Sequence, residues 1–464
     1  MSSWELKKLS EVADIIGGAT PKSDVDEYFN GDIPWITPKD LSGYKNRYIS
    51  KGERNITKLG LENSSAKLLP KGAVLFTSRA PIGYVAIADN EVSTNQGFKS
   101  LVLKDGNIPE FFYYLLKHNI PLFEARATGS TFKEVSGQVV KNTELLIPSI
   151  DIQKKIVDLV SPLDEKIELN TQINQTLEQI AQTIFKSWFI DFDPVHVKAN
   201  ALASGQAAEQ ATQAAMAVIS GKNTQELHRL QTANPEQYQQ LWEIAEAFPS
   251  GFDEEGVPRG WEEKFFGELL ENTIGGDWGK DEVDEKHTEK VSILRGTDLP
   301  DVYKGNDKDV PTRFVEQKKL KSRKLQYSDI VIEVSGGSKN QPTGRSLLIT
   351  DKLLSRFNNP IVPASFCRLF RPKSENYGYL LALHLQIIYQ QGKTWEYQNQ
   401  STGISNFQTT HFLETEKVIL PTNKTLMYFA EMVNPIFDKI YSDENQRLAE
   451  IRDELLPKLL SGEV

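Results

Sequence analysis

Two long stretches of the 464-residue chain carry apolar residues at steps that alternate between three and four positions. This spacing lines apolar side chains along one side of a helix and is typical of helices that pair. We therefore predict one long helix over 149–190 and another over 421–464. The side chains expected to pair are Ile156, Val160, Leu163, Ile167, Leu177, Ile184, Leu426, Val433, Ile436, Ile440, Leu448, Ile451 and Leu455.

A proline interrupts each stripe at an equivalent point, Pro162 in the first and Pro435 in the second. Because proline removes a backbone hydrogen bond, each stretch is expected to be a short helical segment followed by a longer one. Asn170 and Asn174 fall where the first stripe expects apolar side chains. Two explanations stay open: a buried asparagine that sets the register of paired helices, or a local exposed turn.

The segment before each long helix repeats the same features in the same order, which indicates an internal duplication. Both segments mix runs typical of strands with runs typical of helices. The predicted fold class is α+β: two mixed α/β globules in tandem, each followed by a long helix, the two helices pairing as an antiparallel coiled coil. The matched segments are 4–11 with 261–268, 36–41 with 294–299, and 69–76 with 326–333.

The duplication divides the chain into five parts, and the third part has no counterpart after the second helix. This insertion is rich in alanine and glutamine, so it is expected to be helical or a mobile linker. The predicted parts are a first globular domain over 1–148, a first helix over 149–190, the insertion over 191–257, a second globular domain over 258–420 and a second helix over 421–464.

The composition excludes several classes of protein. Cys367 is the one cysteine, so no disulfide can form within the chain, and a reducing, cytoplasmic location is favoured. No run of eighteen apolar residues occurs, and the N-terminus lacks the features of a signal peptide. We therefore expect neither a membrane segment nor a secretory leader.

The charge is unevenly distributed. A net charge of -10 argues against a free-standing nucleic-acid binder. Residues 291–373 nevertheless carry 16 basic and 8 acidic side chains, a net charge of +8. A basic surface is therefore expected in the second half of the chain.

Common catalytic motifs are absent from the sequence. The triplet Gly392-Lys393-Thr394 lacks the leading glycine of a phosphate-binding loop, and the six histidines have no metal-ligand spacing. The Asn/Asp-Pro-Pro-aromatic box typical of DNA amino-methyltransferases is also missing. We therefore predict no catalytic residue and no metal site.

Polar loops stand at matching points of the two halves. Arginine, asparagine and glutamine make bidentate contacts to base edges, whereas serine, threonine and lysine suit phosphates. These loops therefore predict DNA reading, with Arg79 and Arg345 as the leading base contacts of the two halves. The full set of predicted DNA contacts is Lys22, Lys39, Thr77, Ser78, Arg79, Asn95, Gln96, Ser130, Thr131, Lys133, Arg295, Ser335, Ser338, Lys339, Asn340, Gln341, Arg345, Arg356, Asn358, Ser405 and Asn406.

These features together resemble the specificity subunit of type I restriction–modification systems, over nearly the whole chain. The segments that carry the resemblance are Ile15–Lys22, Gly31–Leu41, the helix entry Ile147–Gln153 and the ending Asn445–Gly462. The second half departs from the pattern at Ile293–Asp298, which lacks the Pro-Trp-Ile-x-Pro-Lys-Asp form of the first. Two unlike half-sites are therefore expected.

The resemblance implies that each globular half is a target-recognition domain that reads one part of a split, asymmetric DNA sequence. The paired helices would hold the domains apart, so that helix length sets the unread spacer. Double-stranded DNA, two methyltransferase subunits and restriction subunits are the implied partners. S-adenosylmethionine, ATP and Mg2+ would be bound by those subunits, and this chain would bind no cofactor and be non-catalytic.

Two other functions remain open from the sequence alone. A coiled-coil protein-interaction scaffold without a DNA-reading role would suit the acidic net charge. A hydrolase or nuclease with an unrecognised site would require metal-dependent cleavage by the purified chain.

Overall fold

The computed structural model describes residues 4–129, 133–336, 341–401 and 404–462, without the side chains of 400, 401 and 404. Two compact units emerge from the packing. Unit 1 comprises the residues up to Asn170 together with those from Arg447 onward, and unit 2 comprises Thr171–Gln446. Within the described ranges, the helices lack the combination of length and apolar character that crossing a membrane requires.

Unit 1 contains three sheets. Its strands are β1 (Trp4–Lys8), β2 (Ala13–Gly17), β3 (Phe29–Ile36), β4 (Tyr48–Ile49), β5 (Arg54–Ile56), β6 (Val74–Phe76), β7 (Val85–Ala88), β8 (Ser93–Thr94), β9 (Lys99–Leu103) and β10 (Glu144–Pro148). The largest sheet has the order β2-β9-β6-β7-β4, and beside it are β5-β3-β8 and β1-β10.

Unit 1 also contains helices that pack on its sheets. They are α1 (Leu9–Val12), α2 (Lys58–Glu62), α3 (Pro109–His118), α4 (Ile120–Ala125), α5 (Gly137–Asn142) and α6 (Ile150–Phe189), with a 3₁₀ turn at Asp26–Tyr28. Alternation along β6 sends Val74 and Phe76 into a core shared with α3, and Leu75 into a second core on the opposite face. The loops at the strand ends are thus held from both sides.

A bundle of four helices follows α6. They are α7 (Asp193–Ala203), α8 (Ala208–Ser220), α9 (Thr224–Ala233) and α10 (Pro235–Glu246). Met216, Leu227 and Leu241 form a small core of their own, and the Lys198 ammonium donates to the carbonyls of Ala245 and Phe248 at 3.1 and 2.6 Å. The helical alternative predicted for the insertion is confirmed.

Unit 2 repeats the strand arrangement of unit 1. Its strands are β11 (Glu262–Phe265), β12 (Leu270–Gly275), β13 (His287–Leu294), β14 (Thr312–Glu316), β15 (Ile330–Glu333), β16 (Ser335–Gly336), β17 (Ser346–Leu348), β18 (Ile361–Pro363), β19 (Cys367–Pro372), β20 (Gln398–Ser401), β21 (Ile404–Phe407) and β22 (Lys417–Leu420). The opening strand pairs antiparallel with the strand before the long helix in both halves, β1 with β10 and β11 with β22. A short parallel pair also recurs, as β3 with β8 and β13 with β18. The predicted duplication is therefore confirmed.

The remaining helices complete the second half of the chain. They are α11 (Leu299–Tyr303), α12 (Gln317–Arg323), α13 (Asp351–Leu354), α14 (Tyr377–Gln390), α15 (Thr409–Thr415), α16 (Asn423–Ile440) and α17 (Glu444–Ser461), with 3₁₀ turns at Phe266–Leu269 and Lys393–Tyr397. α14 lies in the large core of unit 2, where Tyr379, Leu380, Leu381, Leu383 and Leu385 are buried.

The two prolines do not end their helices, so that prediction was wrong. α6 runs without a break past Pro162, and α16 runs past Pro435. Both prolines are on the exposed side of the helix, where one lost hydrogen bond is tolerated. The second predicted helix instead breaks between Ile440 and Glu444.

Most of the residues predicted to pair lie in helix packing, but each unit uses a different part of the stripes. In unit 1, Ile156 and Val160 of α6 share a core with Leu456, Leu459 and Leu460 of α17. In unit 2, Leu426, Val433 and Ile440 are buried, and Leu177, Ile184 and Ile436 pack against the same core. Leu163, Ile167 and Leu448 are half-buried. A continuous coiled coil stays a prediction.

Two residues of α17 that were predicted to pair are not covered by helix packing within unit 1, and their pairing with a partner stays a prediction. Ile451 and Leu455 are 48% and 38% exposed, while the packed side of α17 carries Leu459 and Leu460. The apolar positions of this helix form two stripes, and only packing decides which one is covered. On α6, Asn170 is buried and Asn174 half-buried, so neither lies on an exposed turn.

Candidate nucleic-acid interface

Four predicted DNA contacts meet in one depression of unit 1. The loops after β3, β6 and β8 meet there, although β6 belongs to a different sheet from β3 and β8. We call this depression, which has a volume of about 470 Å³, the first cleft. Its lining residues are Thr37, Pro38, Lys39, Arg79, Ala80, Asn95, Gln96 and Gly97.

Side-chain hydrogen bonds hold the loops of the first cleft. Asp40 accepts from the backbone N–H of Thr37 and from its hydroxyl, at 2.7 and 2.6 Å. The Asn95 carboxamide oxygen accepts from the Gly97 N–H at 2.9 Å, and Gln96 accepts a hydrogen bond from the Thr20 hydroxyl. Fixed loops keep the polar groups in place before any ligand arrives, which reduces the entropy lost on binding.

The cleft carries both signs of charge. Arg79 Nη1 is 3.2 Å from a Glu134 carboxylate oxygen, and both side chains are more than one-third exposed. Lys99 Nζ is 3.9 Å from the other oxygen of Glu134. Burial lowers the pKa of Lys99, Glu134 opposes that shift, and Arg79 adds to it. Lys39 is exposed beside the cleft, where its hydrogen bond and charge interaction with Glu53 raise its pKa.

Two predicted contacts in unit 1 are excluded by burial. Thr77 and Ser78 are 0% exposed. The Thr77 hydroxyl accepts from the Tyr84 N–H at 2.8 Å, and the Ser78 hydroxyl donates to the Gly97 carbonyl at 3.1 Å. Both side chains hold the loop and cannot reach DNA in this conformation. Lys22 and Lys133 are exposed, whereas Ser130 and Thr131 lie outside the described residues.

The loops that line the first cleft have counterparts in unit 2 with matching backbone hydrogen bonds, and we call the lining of these counterparts the second cleft. The Asn95 N–H donates to the Ile36 carbonyl at 3.0 Å, and the Ala364 N–H donates to the Leu294 carbonyl at 2.8 Å. The turn residue also recurs, since Asp298 accepts from the Arg295 N–H at 2.9 Å as Asp40 does from Thr37. This agrees with the predicted match of 36–41 with 294–299.

The loop after β6 in unit 1 matches the loop after β15 in unit 2. The Ser78 N–H donates to the Gly97 carbonyl at 2.7 Å, and the Val334 N–H donates to the Phe366 carbonyl at 2.9 Å. The second cleft is therefore defined by the residues that replace the lining of the first. They are, in the same order, Arg295, Gly296, Thr297, Ser335, Gly336, Ala364, Ser365 and Phe366.

Unit 2 has fewer charged side chains available for DNA contact than the sequence predicts. Arg345 is bidentate to Glu333 at 2.7 and 2.8 Å, and its side chain is 19% exposed. Arg356 is 2% exposed and is held by Asp307 and by the carbonyls of Val302 and Tyr441. Both predictions of DNA contact were wrong, because these guanidiniums neutralise carboxylates inside unit 2.

Arg345 is also not the equivalent of Arg79. The Thr77 N–H bonds to the Tyr84 carbonyl, and the Glu333 N–H bonds to the Arg345 carbonyl. Arg345 therefore takes the place of Tyr84, and Ser335 takes the place of Arg79. The Ser335 hydroxyl donates to the Asn406 carboxamide oxygen at 2.8 Å.

The other predicted residues of unit 2 have mixed positions. Arg295 lies in the second cleft and is 36% exposed, but its Nε and Nη2 are bonded to Asp298, and Nη2 also donates to the Asp309 carbonyl. Ser405 is 5% exposed, so its burial argues against a contact. Gln341 and Asn358 are exposed, and Ser338, Lys339 and Asn340 lie outside the described residues.

The basic segment 291–373 does not form the expected basic surface from its arginines. Four of its guanidiniums form ion pairs with carboxylates inside unit 2. They belong to Arg295, Arg345, Arg356 and Arg371. Asp329, which pairs with Arg371 at 2.7 Å, is 1% exposed and shows how deep some of these pairs lie. Sequence counting missed this because the partners of Arg345, Arg356 and Arg371 lie 12, 49 and 42 positions away along the chain.

Two cleft residues had no clear signal in the sequence. Glu134 pairs with Arg79 although 55 positions separate them. Phe366 is 66% exposed at the position where the first cleft has Gly97. An exposed aromatic side chain next to polar loops is a candidate contact for a base or a thymine methyl group. Alignment of the two halves by hydrogen-bond pattern, rather than by residue type, identifies both.

A buried polar network ties the first globular domain to its long helix. The Arg47 guanidinium, 4% exposed, donates to Ser161 at 2.8 Å and bonds Glu168 at 3.3 Å. Tyr114 of α3 donates to Asp164 at 2.6 Å, and Asp164 also accepts from Arg452 of α17 at 2.6 Å. Burial and the nearby Asp164 raise the pKa of Tyr114, which keeps its hydroxyl a donor. The direction of α6 is therefore set by α3 and α17 in unit 1.

Comparison with known proteins relates the chain to one family. Residues 1–179 match the family described as the type I restriction modification DNA specificity domain. The chain is 33% identical to the specificity subunit of the type I restriction enzyme MjaIX of Methanocaldococcus jannaschii, over 99% of this chain and 93% of that one. It is 34% identical to the HindI specificity subunit of Haemophilus influenzae, over 95% and 100% of the two chains.

A solved structure shares the fold. The S subunit of a type I restriction–modification system from M. genitalium superposes with a TM-score of 0.52 at 17% identity, covering 98% of this chain and 96% of that one. The fold is thus that of two mixed α/β domains with long helices. From its sequence relatives, the chain belongs to the specificity subunits of type I restriction enzymes.

Proposed function

We propose that this chain reads two separate parts of one DNA target, one with each cleft. The observation that carries the proposal is the meeting of Lys39, Arg79, Asn95 and Gln96 in the first cleft, on a loop frame that recurs in the second. We call the globular parts around the two clefts the first and second recognition domains. Because their linings differ, the two half-sites differ in sequence.

Different side chains of the first cleft are proposed to contact bases and phosphates. Arg79, Asn95 and Gln96 have the bidentate groups that fit purine edges in the major groove. Lys39, exposed on a turn fixed by Asp40, suits a phosphate and sets position without selecting a base. Membership in the specificity-subunit family supports this division between reading and positioning.

The long helices are proposed to space the recognition domains and to dock partner subunits. Leu159 and Leu169 of α6 are 59% and 51% exposed. Ile451 and Leu455 of α17 are 48% and 38% exposed. Exposed apolar side chains at this density on helices are typical of a surface that a partner covers. The proposed partners are two methyltransferase subunits and the restriction subunits.

The chemistry is proposed to belong to those partners. The methyltransferase subunits would bind S-adenosylmethionine and flip the target adenine out of the duplex. The restriction subunits would use ATP and Mg2+. This chain would act without a cofactor of its own, as a non-catalytic subunit of a cytoplasmic complex that defends the cell against foreign DNA.

Methylation mapping tests the proposal. The chain would be co-expressed with its methyltransferase subunit in a host free of adenine methylation, and the DNA read by modification-sensitive long-read sequencing. We expect a split, asymmetric motif that requires both proteins. Absence of any motif, with the complex shown intact by mass spectrometry, would overturn the DNA-reading role.

A salt titration separates DNA reading from a pure scaffold. Phosphate contacts release counterions, so log affinity falls with log salt by about 0.9 per contact. We expect a steep slope for the assembled complex on duplex carrying the motif, and a higher affinity there than on scrambled duplex. Equal affinity for both duplexes would favour the scaffold.

A further inference from the structure

One pair of side chains stands at the same backbone position in each cleft. The Val135 N–H donates to the Ser78 carbonyl at 2.9 Å, and the Phe407 N–H donates to the Val334 carbonyl at 2.8 Å. The residues next to these bonds face each other across the strands. They are Arg79 with Glu134 in unit 1, and Ser335 with Asn406 in unit 2.

The two pairs differ in charge but not in place. Arg79 and Glu134 form an ion pair at 3.2 Å, with 39% and 37% of their side chains exposed. Ser335 and Asn406 form a neutral hydrogen bond at 2.8 Å, and Asn406 is exposed. An exposed ion pair contributes little to stability, so stability gives no strong reason for the charged version. Both pairs retain donors and acceptors beyond the bond that they make with each other.

Each pair complements a different base pair in the major groove. A guanidinium binds O6 and N7 of guanine, and a carboxylate accepts from the N4 amino group of the paired cytosine. A carboxamide binds N6 and N7 of adenine, and a hydroxyl accepts or donates beside it. The same backbone position can therefore present G·C reading in one half and A·T reading in the other.

We propose that these pairs are specificity-determining residues, with Arg79–Glu134 selecting a G·C pair in one half-site and Ser335–Asn406 selecting an A·T pair in the other. The inference rests on the proposed DNA-reading function and adds to it the base class that each domain reads at one position. It also explains why an acidic side chain stands in a cleft that binds a polyanion, since Glu134 both orients Arg79 and meets an amino group.

Exchange of the pairs tests the inference. R79S/E134N gives the first cleft the pair of the second, and S335R/N406E makes the reverse change. Each complex would be assembled with its methyltransferase subunits, and the methylation motif compared with that of the wild type. We expect a change at one base pair of one half-site, with discrimination altered about 5- to 150-fold there and the other half-site unchanged.

The control is the exposed pair Lys71–Asp89, which has the same kind of contact at 3.1 Å. Lys71 precedes β6 and Asp89 follows β7, so this pair lies at the end of the hairpin opposite Arg79. K71S/D89N should leave the motif intact. A motif shift in this variant would show that charge loss alone alters the reading, and would overturn the assignment.

A second variant covers the case in which R79S/E134N does not assemble. R79K keeps the charge beside Glu134 but loses the bidentate fork. We expect an assembled complex with unchanged thermal stability and at least fivefold lower discrimination at the same base pair. Unchanged discrimination with R79K, or binding weakened equally on all sequences, would overturn the inference. A wild-type complex that yields no motif would instead overturn the proposed function.

Discussion

In the first recognition domain the cleft holds Lys39, Arg79 and Gln96, whereas the second holds Thr297, Ser335 and Ser365 at the same places. The same backbone hydrogen bonds close the loops around them in both domains. The duplicated domains have thus kept the backbone hydrogen bonds of these loops and exchanged the side chains that line the clefts. A recognition protein needs this separation, because a change of target must not disturb the fold.

The largest expected effect on stability concerns the polar contacts that attach each long helix to its globular domain. Asp164 is 7% exposed and joins Tyr114 to Arg452 in unit 1, whereas the corresponding contact in unit 2 is a neutral bond from Tyr379 to Asn434. D164N should lower the free energy of unfolding by about 3 kcal/mol, because the Arg452 guanidinium, 21% exposed, loses a nearly buried counter-charge. N434A should lower it by about 1 kcal/mol. Urea titration of both variants measures the difference, and equal losses would contradict the ionic character of the first anchor.

The next largest effect is a difference in acid stability, because low pH should destabilise the second recognition domain more than the first. Burial raises the pKa of Glu416, but hydrogen bonds from His384, Lys393 and Tyr397 outweigh it and lower that pKa to about 2. A depressed carboxyl pKa stabilises the fold above the ordinary value of 4.5, and the stability is lost as the pH falls from there toward 2. This contribution to the free energy of unfolding is about 3 kcal/mol, because one pKa unit corresponds to about 1.4 kcal/mol.

Unit 1 carries an internal control for this acid effect. Thr143 accepts from the Leu9 N–H through its carbonyl, as Glu416 does from Phe266, and Thr143 has no charge to titrate. Hydrogen exchange should therefore show β22 opening before β10 between pH 4.5 and 2. E416Q should remove that pH dependence, and if β22 still opens earlier with the same pH profile, another group is responsible.

Substitution of two glycines tests whether the loop backbone is equivalent in the two recognition domains. An added Cβ at Gly18 would lie 2.0 Å from the Asn95 carbonyl oxygen, and at Gly276 2.1 Å from the Ala364 carbonyl oxygen. G18A and G276A should each lower the free energy of unfolding by about 1–3 kcal/mol, since backbone must move. The neighbours provide controls, because a Cβ at Gly17 or Gly275 meets no atom closer than 4.0 Å. A loss of stability in only one of the two variants would show that the loop backbones are not equivalent.

The smallest expected effect concerns Lys39, which the second cleft replaces with Thr297. K39T should reduce the slope of log affinity against log salt by about 0.9, because one phosphate contact is removed. The methylation motif should not change, since phosphates carry no sequence information. A changed motif would instead assign Lys39 to base reading.

The sequence predicted the parts of this protein that depend on local pattern. The duplication, the two long helical stretches and the match of Asp40 with Asp298 all follow from spacing, because a turn or helix repeats its pattern wherever the same backbone forms. The absence of common catalytic motifs and the family resemblance also came from the residues alone. Two of the loops that form the first cleft were identified in the same way.

The tertiary structure decided which polar side chains are available and which helix stripe is covered. Arg345 and Arg356 have the residue type of base contacts, yet their carboxylate partners lie 12 and 49 positions away. Ile451 and Leu455 fit the heptad pattern as well as Leu459 does, but packing covers only Leu459. The physical reason is common to both cases. An ion pair or a packed core is formed between segments distant in the chain, and no local pattern records which partner a side chain meets.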